Sequence, residues 1–404
     1  MAKKTKKRFF LDYGILIPYL ILSVLGVVMV YSATAYRLIT SDPPQPDTAA
    51  AAKQALYLAL GLILMVIIYQ MKTKFLQSKG LLVLGIAVIS TMLLLTRFTK
   101  TFSLQAGGAQ GWFQLGPITL QPVEFLKIMV IWYLAYILSR RQDTIVHGFK
   151  QAVLKPVLLV SSLIFLVLIQ PDTGGAAILV LLVIIMLLAS GVSYWYGIVI
   201  GVGGVSLSFI AIELVSLLGP ALLPENKQYI VERFLVMRNP FIDAYGSGLQ
   251  MVHSYYAMFN GGLFGRGLGN SIQKKGFLPV AESDFMFSIV IEELGLIVAM
   301  LILLLLFFLI LRIIMVGIRA THPFNSLMCI GIGGMLLVQT FVNIGGITGI
   351  IPLTGVTFPF LSQGGSSLLA LSIGVGFVLN IRADELRKKY QRQAEVVIPM
   401  KQTQ

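Results

Sequence analysis

The stretch GFLPVAESDFMFSIVIEELG, residues 276–295, marks where the character of the chain changes. Upstream, from Leu218, the sequence is polar, glycine-rich and basic. Downstream of Phe285 it is apolar for more than a helix length. Asp284 stands on the boundary, and Glu292 and Glu293 lie two turns inside the apolar run. Acids within an apolar helix are costly and usually face a polar interior, so one of the two is expected to pair with a base or to support a loop. Asp284 has two compatible readings: a cap or dipole partner for the helix it precedes, or a general base at a membrane surface. Glu282, two residues away, is placed to tune its proton.

Working outward, apolar segments flank this stretch on both sides. Of 404 residues, 57% are hydrophobic and 12% charged, whereas soluble domains carry about 25% charged residues. Mean hydropathy is +0.86. Many segments reach the roughly 17–25 residues a helix needs to cross a bilayer, and the short alternating segments of a membrane β-barrel are missing. The expected fold is an all-α polytopic membrane protein with about ten transmembrane helices, near 13–35, 54–71, 80–96, 122–139, 153–169, 176–190, 195–217, 285–311, 324–344 and 366–381. A basic N-terminus (1–12) precedes this membrane domain (13–381), and a basic, polar tail (382–404) follows it.

Ten spans put both termini on one side, together with the basic junctions 72–79, 140–155, 312–319 and 382–389, which marks that side as cytoplasmic. The large loop 218–284, between helices 7 and 8, then falls outside. It too is basic, through Arg233, Arg238, Arg266, Lys274 and Lys275. An extracytoplasmic cation cluster suits a negatively charged ligand, and guanidinium and ammonium groups suit phosphate oxygens. The net charge of +14 fits basic membrane edges meeting anionic lipid, and nucleic-acid motifs are absent. The single cysteine, Cys329, excludes an intrachain disulfide and reads as core packing. Scattered histidines give no metal-site spacing. No inverted repeat is evident, which weakens a transporter reading.

Within the spans, Glu124 and Lys127 share a helix face and read as an intramembrane ion pair or a head-group contact. Asp172 follows the break at Pro171 and can cap the next helix. Ser366 opens the last span, as a cap or as part of an anion cradle. The segment 99–121, rich in glycine, tryptophan and proline, reads as a re-entrant or interfacial turn.

These positions carry a resemblance to the SEDS family of cell-wall glycan polymerases, the FtsW/RodA group. The marks are Gly108-Ala109…Trp112 with Gln121-Pro122-x-Glu124-x-x-Lys127, Gln170-Pro171-Asp172-x-Gly174, and Arg233-Phe234…Asn239-Pro240. They continue through Gly246-x-Gly248-x-Gln250, Gly261-Gly262 and Leu278-Pro279 to Ser283-Asp284-Phe285 and Glu292-Glu293-Leu294-Gly295, and end with Pro352-Leu353-Thr354-Gly355 through Ser366-Ser367. The resemblance implies polymerisation of lipid II into a nascent β-1,4-linked glycan strand, with inversion and release of undecaprenyl pyrophosphate. It makes Asp284 the essential carboxylate, and the loop cations with Lys127 and Ser366 candidate pyrophosphate or substrate contacts. Glu124, Asp172, Glu282 and Glu293 are expected to support them. No cofactor is implied beyond a divalent cation, Mg or Mn, as an alternative stabiliser of the leaving group. The implied partners are a class B penicillin-binding protein, other divisome membrane proteins and membrane lipids, in the bacterial plasma membrane at the division septum. Gly269 to Lys274 and Thr354 to Pro359 look more like the division branch than the elongation branch. Three departures stand out: Val280 where the family usually has glutamate, Ser283 where it has threonine, and Gly111 where it has arginine before the tryptophan.

Overall fold

The structure, a computed structural model, describes residues 7–99, 103–106, 109–115, 118–192, 195–199, 201, 203, 204, 206, 213 and 228–397. The elements used below are α1 (Tyr13–Ile39), α2 (Ala49–Gln70), α3 (Lys79–Phe98), β1 (Ser103–Ala106), β2 (Ala109–Leu115), β3 (Ile118–Leu120), α4 (Pro122–Leu138) and α5 (Gln142–Ile169). They continue with α6 (Thr173–Ala189), α7 (Gln228–Arg238), α8 (Leu249–Gly261), α9 (Met286–Ile318), α10 (Pro323–Ile347) and α11 (Gly365–Val397).

The all-α polytopic architecture expected from the sequence is what the chain forms. Seven described helices are long and apolar enough to cross a membrane. They match the expected spans 1, 2, 3, 5, 8, 9 and 10. The expected spans 4 and 6 are the apolar helices α4 and α6, 17 residues each, at the lower end of the roughly 17–25 residues that a span requires. The expected span 195–217 lies largely outside the described residues, as do residues 1–6 of the basic N-terminus.

Burial separates inner from outer helices. Helix α4 is covered nearly all round, from Val123 to Leu138, and packs on α3, α6, α10 and α11. By contrast α2 and α3 leave Leu56, Ile63, Ile67, Leu84 and Val88 exposed, the apolar faces that a lipid environment covers. At one end of the bundle Asp12 pairs with Arg312 at 2.9 Å and with Arg382 at 3.2 Å. Thr73 donates to Asp384 at 2.9 Å, and Asn325 donates to Glu385 at 2.7 Å. These contacts hold α11 past 381, where the basic run suggested an end, as far as Glu385, and the helix runs on to Val397.

Two local features depart from the expectation. Residues 103–120 include a three-stranded antiparallel sheet, order β1-β2-β3, with Leu104 opposite Trp112 and Phe113 opposite Leu120. Strand pairing satisfies the backbone here, where an interfacial turn alone would leave it unpaired. The second departure is a break in α9 at Gly295, whose φ of 82° is left-handed. A helix broken at membrane depth must have its freed backbone groups satisfied by neighbouring protein. The loop after α8 does this: Arg266 N–H donates to the Glu292 carbonyl at 3.0 Å and Gly267 N–H to that of Glu293 at 2.9 Å. In return Leu296 N–H donates to the Gly262 carbonyl at 2.9 Å and Ile297 N–H to that of Leu263 at 3.2 Å. A side chain at Gly265 or Gly295 would collide with the other's backbone, so the glycine run is first of all a close-packing device.

Candidate active site

Asp284 sits two residues before α9, at the junction of three segments. Ser283 Oγ donates to its Oδ1 at 3.0 Å, and its main-chain carbonyl accepts from Asn343 Nδ2 of α10 at 2.7 Å. Gly355, at φ 74°, comes so close that a Cβ there would lie 3.4 Å from Asp284 Oδ2. Burial pushes the Asp284 carboxyl above its ordinary range; the Ser283 hydrogen bond and the Arg233 charge oppose this, and the Glu282 charge adds to it. A carboxylate displaced upward in this way is a better proton acceptor at neutral pH than a solvated aspartate.

Beside this junction is a cavity of about 410 Å³. Glu282 and Ser283 form one wall, Gln363, Gly364 and Gly365 another, and Lys53, Gln54 and Tyr57 of α2 with Trp112 of β2 complete it. Asp284 is joined to this cavity through the Ser283 hydroxyl. An aromatic face, amide groups, one ammonium and one carboxylate around a space of this size suit a polar, sugar-sized ligand. The Glu282 carboxylate is held by Arg37 at the end of α1.

The cations expected to bind pyrophosphate take different places. Arg233 is close enough for its charge to act on Asp284. Arg266 and Lys275 are exposed. Arg238 pairs with Glu213 at 2.5 Å, both side chains largely exposed. Lys274 is buried, with Nζ 2.5 Å from Glu293 Oε1 and 2.8 Å from Ser32 Oγ. Its ammonium is engaged inside the protein and is not brought to the cavity. Glu292 accepts from Ser271 Oγ and, at 3.0 Å, from Ile272 N–H. The two intramembrane acids therefore divide the expected roles: Glu293 pairs with a base and Glu292 supports a loop. Within the same loop region His253 Nδ1 lies 2.7 Å from Gln273 Oε1.

A second polar cluster is held by α4, α6, α10 and α11. Lys127 Nζ donates to Glu124 Oε1 at 2.8 Å and to Gln339 Oε1 at 3.4 Å. Gln339 Nε2 in turn donates to the Thr357 carbonyl at 3.2 Å and to Ser367 Oγ at 3.4 Å. Asp172 caps α6, accepting from Gly175 N–H at 2.7 Å, and burial raises its carboxyl. Ser366 Oγ accepts from Gln121 N–H at 2.8 Å and donates to the Thr119 carbonyl at 3.3 Å, so it ties β3 to the start of α11.

Sequence reasoning missed Arg37, Lys53, Gln54, Tyr57 and Asn343. The available signal was a polar side chain inside an apolar segment, which Gln54 and Asn343 both display. Of the departures, Ser283 keeps a hydroxyl on Asp284, and Gly111 is buried in β2. Val280 is 46% exposed at a left-handed φ of 57°.

A polytopic helical bundle with a half-buried, hydrogen-bonded carboxylate beside a cavity that polar side chains help to line defines a membrane-embedded protein with a candidate acid–base site. The chain belongs to the FtsW/RodA/SpoVE family of cell cycle proteins, whose family model matches residues 14–387. A relative from Lactococcus lactis subsp. lactis (strain IL1403), named a probable peptidoglycan glycosyltransferase FtsW, is 43% identical over 413 residues, covering 95% of each chain. Another from Bacillus subtilis (strain 168), with the same name, is 34% identical and covers 99% of this chain and 96% of its own. Among solved structures, one concerning coordination of polymerization and crosslinking by a peptidoglycan synthase complex aligns with a TM-score of 0.69 at 27% identity, covering 93% of this chain and 98% of its own. The Thermus thermophilus rod shape determining protein RodA aligns with a TM-score of 0.63 at 25% identity, covering 93% and 97%.

Proposed function

We propose that the chain is a peptidoglycan glycosyltransferase that polymerises lipid II at the outer face of the plasma membrane during septal wall synthesis. The observation that carries this reading is Asp284, a carboxyl raised by burial and joined through Ser283 to a sugar-sized cavity lined in part by Lys53, Gln54, Glu282 and Gln363. The names of the relatives from Lactococcus and Bacillus support the same activity.

In this mechanism Asp284 accepts the proton of the acceptor's GlcNAc 4-hydroxyl. That oxygen attacks the anomeric carbon of the donor MurNAc from the face opposite its diphosphate. The bond to undecaprenyl pyrophosphate breaks, and the α-linked donor becomes a β-1,4 linkage. A diphosphate leaves as a stable anion, so electrostatic stabilisation replaces a protonating acid. Arg233, Arg266 and Lys275 of the loop, with Lys53 at the cavity, are the cations proposed for it. A divalent ion is the alternative stabiliser. Among the described residues no three or more His, Cys, Asp or Glu side chains gather to cage one, so no step is assigned to a metal. Glu124, Lys127 and Asp172 are proposed to position substrate or hold the bundle.

The basic junctions favour cytoplasmic termini, which puts Asp284 on the extracytoplasmic side. A class B penicillin-binding protein is the proposed partner, supported by the pairing of polymerization with crosslinking in the related synthase complex.

The test is incubation of the purified chain with lipid II in proteoliposomes, alone and with that partner. Glycan polymer is the expected product. Translocation of lipid II without polymer would favour a flippase, and neither outcome would favour a division scaffold; each would overturn the reading.

A further inference from the structure

We infer that Asn343 and Ser362 are positioning residues for Asp284, holding the segment 282–284 in register against the loop 355–363. This rests on Asp284 being the base proposed above. The three consecutive carbonyls of the segment are each taken by a donor from elsewhere in the chain. Glu282 O accepts from Gln363 N–H at 2.8 Å, Ser283 O from Ser362 Oγ at 2.5 Å, and Asp284 O from Asn343 Nδ2 at 2.7 Å.

Two of these donors are side chains, and each makes a second bond. Asn343 Nδ2 also donates to the Val356 carbonyl at 2.7 Å, and Ser362 Oγ also accepts from Phe358 N–H at 2.9 Å. Each therefore joins the Asp284 segment to the loop in which Gly355 lies against the carboxylate. Asn343 is 3% exposed and Ser362 5%, so water does not compete for these bonds. Asn343 spends both amide protons on the clamp and leaves Oδ1 buried without a partner among the described residues. A buried unpaired acceptor costs about 1–3 kcal/mol.

Backbone at a helix entrance is free to shift unless its carbonyls are held. A displacement on the order of 1 Å at a reacting group can lower a rate by roughly a hundredfold. Loss of either side chain is therefore expected to lower turnover without weakening substrate binding. Loosening the clamp also admits water to Asp284, which relaxes its carboxyl toward the ordinary value. The charged groups facing it stay unchanged: Glu282 on its own segment, Arg233 of α7, and Arg37 of α1 acting through Glu282.

The experiment measures lipid II polymerisation by the full-length chain carrying Asn343→Ala, Ser362→Ala or Ser362→Thr, with Asp284→Asn as reference. Both alanine variants are expected to lose about tenfold to a hundredfold in kcat, with KM within about twofold. The acid limb of their pH–rate profiles is expected to move to lower pH, and Ser362→Thr, which keeps the hydroxyl, to recover most of the rate. Wild-type kcat in the alanine variants beside an inactive Asp284→Asn would overturn the clamp alone. A lowered kcat with an unmoved acid limb and no recovery in Ser362→Thr would also overturn it. Wild-type activity in Asp284→Asn would overturn the proposed base itself. Should Asn343→Ala fail to fold, the two Ser362 variants carry the same test.

Discussion

Lys274 and Glu293 form a buried ion pair, Nζ to Oε1 2.5 Å, and Ser32 of α1 donates to the same carboxylate at 2.7 and 2.8 Å. The lysine comes from the loop before α9 and the glutamate from α9 itself, just ahead of the break at Gly295. The pair thus fixes the polar loop to the helix that Asp284 precedes, and Ser32 fixes both to α1.

Removing one partner of a buried pair leaves the other charge unpaired, at a cost of about 3–5 kcal/mol, whereas replacing both with apolar groups is often neutral. Lys274→Met and Glu293→Gln are each expected to lower the thermal unfolding midpoint of the detergent-solubilised protein. The double variant Lys274→Met/Glu293→Met should recover most of the loss. Singles that unfold like wild type would show that the pair holds nothing.

Val280 adopts a left-handed backbone that costs an L-residue about 1–2 kcal/mol, and β-branched residues fit it poorly. With nearly half of its side chain exposed, little packing is lost on substitution. Val280→Gly is expected to raise the unfolding midpoint, the relief of strain exceeding the added entropy of the unfolded chain. A lower midpoint would mean that the valine side chain contributes more than its backbone costs.

Asp284 carries a stability cost whose sign follows from its raised carboxyl. The folded state holds the proton more tightly than the unfolded state. The stability linked to this group is fully present below the unfolded value of about 3.9 and is lost as pH rises through the folded value. At neutral pH Asp284→Asn is therefore expected to be more stable than wild type, with the difference vanishing toward acid. Chemical denaturation of the two proteins across pH measures it; an Asn variant less stable at neutral pH contradicts the sign.

Much of this architecture was legible because hydropathy reports directly on lipid contact. The Leu- and Ile-rich runs marked the spans, and the basic junction after Gln70 marked an end, whereas the junction at 312–319 begins inside α9, which runs on to Ile318. Pro122 and Asp172 announced helix starts. The sheet at 103–120 was not legible: its strands are four, seven and three residues long, and glycine and proline between them read equally well as an interfacial turn. Nor was the break at Gly295, since one glycine in an apolar helix is usually tolerated; only the partner loop around Gly265 reveals it. The basic loop looked like one anion-binding set because sequence shows charge but not pairing. Lys274 proves to be paired inside the protein and Arg238 to be paired at its surface, while the charge of Arg233 acts on Asp284. Asn343, which holds the Asp284 carbonyl, carried its signal as an amide within an apolar span.

The most direct test of Asp284 as general base is the pH dependence of single-turnover polymerisation of lipid II by wild type and Asp284→Asn, with substrate binding measured in parallel. Wild type is expected to lose rate as pH falls through a value above about 3.9. Asp284→Asn should bind lipid II as wild type does and react roughly a hundredfold to ten-thousandfold more slowly, with no acid limb. An Asn variant that polymerises within a few-fold of wild type, or that keeps the same acid limb, would contradict the account.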